Sequence, residues 1–311
     1  YKTEWAGAGM IFMKSSSQTY GDLLIDNNNN VGITPIVDGT YTFDNVSVKN
    51  KAKLEISSGD SISSAEFAVQ NGQVTNEGTV SITNLDLRSG GIFSHSDGSL
   101  DVTNNLQIGN GGIFYLNTGL SVNNLTVLSG GTLTHSPEDS DFDLTVANNL
   151  TIETGGSINV DGKGYPAASG PGAGNYGNNG GGGGGYGGLG IKGYEGSGGG
   201  VYGSVIAPLD LGSGGGNAYY DGRGGAGGGK IKIDGGTLII NGTISADGDD
   251  GKGGGNRGGG GSGGSIYITA GTLSGSGSIT ANGGSENYKG GGGSGGRIAI
   301  YYGEASYTGQ I

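Results

Sequence analysis

The chain has 311 residues, 77 of them glycine, with no cysteine, five prolines and a formal charge of −12 from 27 acidic and 15 basic side chains. A glycine share several-fold above the usual ~7% excludes an ordinary helical or α/β enzyme, because each interior glycine costs a helix up to about 1 kcal/mol and no window sustains an apolar 3.6-residue period; irregular glycine spacing with little proline excludes collagen. The acidic balance argues against nucleic acid or an anionic membrane as partner, no apolar run approaches the ~20 residues of a bilayer span, and the lack of cysteine removes disulfides and thiolate-bound metals.

From the N-terminus, the chain opens at Tyr1 without methionine, as expected of a piece of a longer precursor. Gly7-Ala-Gly9-Met10-Ile11-Phe12-Met13 reads as a degenerate form of a phrase that recurs near the C-terminus. Short alternating triplets follow: Val46-Ser-Val48, Phe67-Ala-Val69, Leu85-Asp-Leu87, Leu106-Gln-Ile108, Leu125-Thr-Val127 and Leu150-Thr-Ile152, at spacings of 21, 18, 21, 19 and 25 residues. After each of the last four comes a Gly-Gly pair and a second apolar step, as in Ser89-Gly90-Gly91-Ile92-Phe93. Alternation marks strands, and Gly-Gly or Asn-Asn pairs supply corners that need left-handed backbone angles.

One 20-residue unit of this kind cannot bury its apolar face, whereas stacking it on its neighbours can. The sequence therefore predicts an all-β parallel β-solenoid (β-helix) with about 20-residue rungs roughly 4.8 Å apart, regular over 1–160. An antiparallel sandwich is the competing arrangement, although its hairpins would not require the same phrase every 20 residues. Asn104-Asn105, Asn123-Asn124 and Asn148-Asn149 read as corner residues able to stack into a hydrogen-bonded ladder.

The second part, 161–311, keeps the rung and inserts glycine-rich loops at about 161–229, 247–264 and 282–296. Gly236–Gly248 aligns without a gap on Gly271–Gly283, 35 positions later. Each insertion leaves after Asp161-Gly162, Asp247-Gly248 or Asn282-Gly283. It returns at Gly229-Lys-Ile-Lys-Ile233, Gly264-Ser-Ile-Tyr-Ile268 or Gly296-Arg-Ile-Ala-Ile300. Stacked in register, the loops would form one lateral layer, either as flexible linkers or as polyglycine-II, an extended helix of three residues per turn. A short strand is expected around Val201 to Leu211.

Two stretches carry a resemblance. Gly255 to Gly264 and Gly290 to Gly296, returning to a β-scaffold, are similar to the receptor-binding tips of phage long-tail-fibre adhesins. The phrases Gly263-Gly-Ser-Ile-Tyr-Ile and Gly295-Gly-Arg-Ile-Ala-Ile-Tyr-Tyr resemble those of large glycine-rich β-solenoid surface proteins of bacteria. The resemblance covers about the last 150 residues and singles out no one family. It implies an extracellular or cell-surface, non-catalytic adhesin, or a filament or stalk subunit stacking end to end on its own copies.

Half of the sixteen tyrosines lie in the glycine insertions. Tyr165, Tyr176, Tyr186, Tyr194, Tyr219, Tyr220 and Tyr288 are the contact candidates: such rings either stack on the sugars of a surface polysaccharide or pack on their own loops. Asp139, Asp141 and Asp143 would share a strand face, and Asp247, Asp249 and Asp250 crowd a turn; each group reads as a calcium site or as a plain acidic turn, and no other cofactor is expected. Paired carboxylates keep a polysaccharide lyase or glycoside hydrolase as the alternative function. His95 and His135 occupy matching places in the repeat and read as repeat positions rather than a metal pair.

Overall fold

The computed structural model describes residues 9–30, 32–36, 39–219, 222–253, 257–285 and 288–311. Among them the chain is all-β, without a helix. It runs through β1 (Met10–Met13), β2 (Asp22–Asp26), β3 (Gly32–Ile36), β4 (Thr40–Lys49), β5 (Ala52–Ile56), β6 (Ser61–Gln70) and β7 (Gln73–Asn76). Next come β8 (Thr79–Arg88), β9 (Ile92–His95), β10 (Ser99–Ile108), β11 (Ile113–Leu116), β12 (Leu120–Val127), β13 (Thr132–Thr134), β14 (Asp143–Ile152) and β15 (Ser157–Asn159). After the first glycine-rich stretch follow β16 (Lys230–Ile240), β17 (Thr243–Ser245), β18 (Ser265–Ser274), β19 (Ser278–Thr280) and β20 (Arg297–Ala305).

From β2 onward the strands alternate between two parallel-dominated sheets. One is eleven-stranded, in the order β1-β2-β4-β6-β8-β10-β12-β14-β16-β18-β20; the other is nine-stranded, from β19 to β3. The apolar triplets are what pair: Val46 faces Phe67, Phe67 faces Leu85, Leu85 faces Leu106, Leu106 faces Leu125 and Leu125 faces Leu150. In the second half, Ile244 faces Ile279, the same 35-residue offset found in the sequence. These parallel pairs are incompatible with an antiparallel sandwich.

Two compact units are distinguished, each assembled from separate stretches of chain. The first gathers Tyr1–Thr134, Leu144–Ser157 and Gly235–Gly242; the second gathers His135–Asp143, Ile158–Asp234 and Thr243–Ile311. In the first, the triplet side chains from Val46 to Ile152 are buried, with Phe93 stacked on Phe114 at 5.4 Å and Phe67 edge-on to Phe93. Each such side chain contributes about 1.5–3 kcal/mol of burial, and a single polar substitution on the inward face would leave an unpaired group there.

The paired glycines do two separate jobs at the corner. Gly90, Gly111, Gly130 and Gly155 all adopt φ between +76° and +83°, where a Cβ is strained. Their successors Gly91, Gly112, Gly131 and Gly156 lie against a carbonyl of the preceding repeat, of Val69, Leu87, Ile108 and Val127, where a Cβ has no room. Asparagines stack at the bend of the long strands: Asn104 Nδ2 donates to Asn84 Oδ1 at 3.1 Å, and Asn149 Nδ2 to Asn124 Oδ1 at 3.3 Å.

Two expectations change. The Met10–Met13 phrase is not a return phrase of the parallel type, because β1 pairs antiparallel with β2, Met10 facing Ile25. A turn in which Gln18 N–H reaches Ser15 O, followed by Gly21 at φ +93°, reverses the chain between them; Gly7 and Ala8 lie outside the described residues. No strand forms over Val201 to Leu211. Val201, Val205 and Ile206 point outward there, and the segment is tied down from the side, Tyr202 N–H donating to Tyr186 O and Tyr301 Oη to Ile206 O.

Candidate functional site

The second unit builds its loops from two stacked corners. At the exit corner Asp161 Oδ1 accepts the Asp247 N–H at 2.7 Å, and Asp247 Oδ1 accepts the Asn282 N–H at 2.6 Å. At the return corner the Ser265 N–H donates to Gly229 O and the Arg297 N–H to Gly264 O. All three glycine-rich stretches therefore start and finish next to one another.

Between the corners the glycine backbone is ordered by hydrogen bonds with a three-residue step. Gly181, Gly184 and Gly187 donate to Arg257, Gly260 and Gly295, while Gly182 and Gly185 donate to Asn175 and Gly172. Gly183 donates to a third neighbour, Ile191. Successive residues thus face different segments, and residues three apart face the same one in the pairs Gly181/Gly184 and Gly182/Gly185, whereas Gly187 turns to the last glycine-rich stretch. Gly180 to Gly185 are buried. A Cβ on Gly182, Gly183 or Gly259 would collide with the carbonyl of Ser197, Gly292 or Gly182, so glycine is the only residue that lets these backbones approach.

This packing sorts the tyrosines. Tyr186 is 0% exposed; its hydroxyl shares a 2.6 Å hydrogen bond with Ser265 Oγ, and the Arg297 guanidinium lies 5.4 Å from its ring centre. Burial pushes its phenol pKa up. Tyr202 is half-buried, its hydroxyl bonded to Leu211 O and Ser213 Oγ, and burial raises its pKa further. Tyr165 is half-buried as well. In contrast, Tyr176, Tyr194, Tyr219 and Tyr288 are exposed at 54%, 69%, 50% and 80%. Tyr220 lies outside the described residues.

No protein-family model, curated protein or solved structure matches this chain.

Tyr194 and Tyr288 share a partner. The Lys289 ammonium lies 5.7 Å from the centre of each ring, and the Tyr194 N–H donates to Lys289 O at 2.9 Å. An outward pair of rings around one cation, held by backbone bonds, is the arrangement in this unit best shaped to meet a ligand, because amphipathic rings contribute contact area at low entropic cost.

The carboxylates of Asp139, Asp143, Asp247 and Asp250 are bonded within the chain. Asp139 Oδ1 accepts the Asp141 N–H, and burial raises the Asp139 pKa. Asp143 is held by two ammonium groups, Lys230 at 3.0 Å and Lys232 at 3.1 Å. Asp250 Oδ1 accepts the Ser285 N–H, and Asp249 packs on Gly162. Among the described residues no three carboxylate or imidazole groups come together to hold a metal ion.

Both histidines are buried, and desolvation lowers each pKa from 6.5 to about 4. The Lys230–Asp143–Lys232 pairing was missed in the sequence. Its one local signal, lysines two apart in Lys230-Ile-Lys232, names no partner 87 or more residues away.

Proposed function

We propose that this chain is a parallel β-solenoid carrying a lateral polyglycine-II layer, and that it serves as a non-catalytic extracellular surface protein, an adhesin, binding polysaccharide through Tyr176, Tyr194, Tyr219 and Tyr288. One observation carries the reading: the glycine backbone is packed and hydrogen-bonded, yet rings standing on that rigid support are turned outward instead of covering it. Rings fixed in advance lose little freedom on stacking against sugars.

Retention of the chain on a polysaccharide matrix tests it. Replacing Tyr194 and Tyr288 by alanine should abolish retention with an unchanged Tm; retention equal to wild type would overturn the reading.

A second reading, an end-to-end filament, is favoured by β1. Met10, Ile11, Phe12 and Met13 are all exposed on a strand without charge that is an edge among the described residues, and such an edge invites pairing. Negative-stain images should then show concentration-dependent filaments that Phe12→Lys removes; single particles at every concentration would exclude it.

A further inference from the structure

We infer that the Tyr194–Lys289–Tyr288 arrangement selects anionic polysaccharide, with the Lys289 ammonium meeting a carboxylate or sulfate on the sugar while the flanking rings meet its C–H faces. The inference rests on reading these tyrosines as a polysaccharide contact and adds the class of sugar.

Lys289 is fixed from both sides. Its carbonyl accepts the Tyr194 N–H, and it lies so close over Gly180 that a Cβ there would collide with it. The residue before it, Tyr288, sits at φ +61°, a region that bulky L-residues seldom enter and that persists only where surroundings impose it. That backbone holds the most exposed of the four outward rings 5.7 Å from the ammonium, the same distance as the Tyr194 ring.

Among the described residues the ion pairs are Lys49–Asp26, Arg88–Asp86, Lys230–Asp143 and Lys232–Asp143, none involving Lys289. Glu195, adjacent to Tyr194, forms no ion pair with Lys289; its carboxylate accepts the Asn179 side-chain amide at 2.7 Å and the Asn179 N–H at 3.3 Å. A second cation, Arg257, is on the neighbouring loop, its carbonyl bonded to Gly181 beside Gly180. The net charge of −12 does not forbid a polyanion, because exposed charges beyond ~8 Å are screened at physiological ionic strength. A neutral sugar offers the ammonium only hydroxyl acceptors, whereas an anionic one offers an ionised acceptor that pairs the charge as well.

The test is binding of the full chain to immobilised polygalacturonate, dextran sulfate and neutral dextran. Both polyanions should bind about tenfold more tightly than dextran, with the preference shrinking as salt rises. Lys289→Met, which keeps the aliphatic stem, should reduce polyanion binding to the level of dextran binding by the same variant; Lys289→Arg should preserve the preference. Preference for polygalacturonate over dextran sulfate would assign the anion as carboxylate, and the reverse as sulfate. Equal binding of dextran and polyanions, or an unaltered preference in Lys289→Met, would overturn the inference while leaving the tyrosine contact intact. Absence of binding to all three would instead remove the contact on which it rests.

Discussion

Nε2 of His135 accepts the backbone N–H of Lys230 at 3.3 Å, while its Nδ1–H donates to Ser136 O at 2.6 Å. Both ring nitrogens are committed in the neutral tautomer, so protonation would aim a second N–H at the first and add a charge beside the Lys163 and Lys230 ammonium groups.

The consequence is acid sensitivity. His135 and His95 titrate near 4 in the folded chain against 6.5 when unfolded, so between those values the unfolded state binds more protons and stability falls as pH is lowered. The loss begins as pH drops below about 6.5 and is complete near 4, amounting to roughly 3 kcal/mol per histidine. Denaturant unfolding at pH 7 and pH 4.5 should show it. His135→Gln should flatten the dependence, and an equally steep fall in that variant would refute the assignment.

Glycine in the layer is expected to be irreplaceable by position, not by composition. Gly182→Ala drives a methyl into Ser197 O and should cost about 1–3 kcal/mol or more. Gly200→Ala meets nothing within 4 Å and should be neutral or stabilise by up to about 1 kcal/mol through the unfolded state. Thermal unfolding of the two variants side by side decides this; equal losses would mean that the layer is not packed as described.

Tyr186 and Tyr288 should behave oppositely. Tyr186→Phe removes one buried hydroxyl whose partner, Ser265, keeps its bond to Asp210 O, so about 1 kcal/mol should be lost. Tyr288→Ala, at an exposed ring, should stay within about 0.5 kcal/mol. Calorimetry giving the reverse order would show that the two rings had been misplaced.

At the exit corner, Asp247→Ala should cost about 0.5–1.5 kcal/mol by removing the acceptor of the exposed Asn282 N–H, and Asp247→Asn should recover most of it. A chelator should leave Tm unchanged, since Asp161 and Asp247 already spend their oxygens on N–H and hydroxyl groups. A Tm drop with chelator, restored by calcium, would assign these carboxylates to a metal.

The parts of this molecule legible in the sequence are those that repeat. Val46, Phe67, Leu85, Leu106, Leu125 and Leu150 each face the next because burying a period-two pattern on one side leaves a single register. Direction was not legible in Met10–Met13, since alternation looks the same whichever way a strand runs, and a turn outside the motif decides it. The tyrosines were the hardest. Gly185-Tyr186-Gly187 and Gly193-Tyr194-Glu195 read alike, yet one ring is enclosed and the other is not. Which ring faces the interior depends on neighbours contributed from more than a hundred residues away, such as Ser294 and Arg297 around Tyr186.

Those distant neighbours also impose a timetable. Gly187 donates to Gly295, and the Tyr186 N–H to Ser294 Oγ. At synthesis rates of about 5–20 residues per second, roughly 5–20 s separate the appearance of the first partner from the last. Throughout that interval the stretch from Gly180 to Gly185 has only part of its hydrogen-bonding set and no side chains with which to collapse. It must therefore stay hydrated until the final glycine-rich stretch arrives, so a chain released before Gly296 would carry its first and longest insertion unlocked.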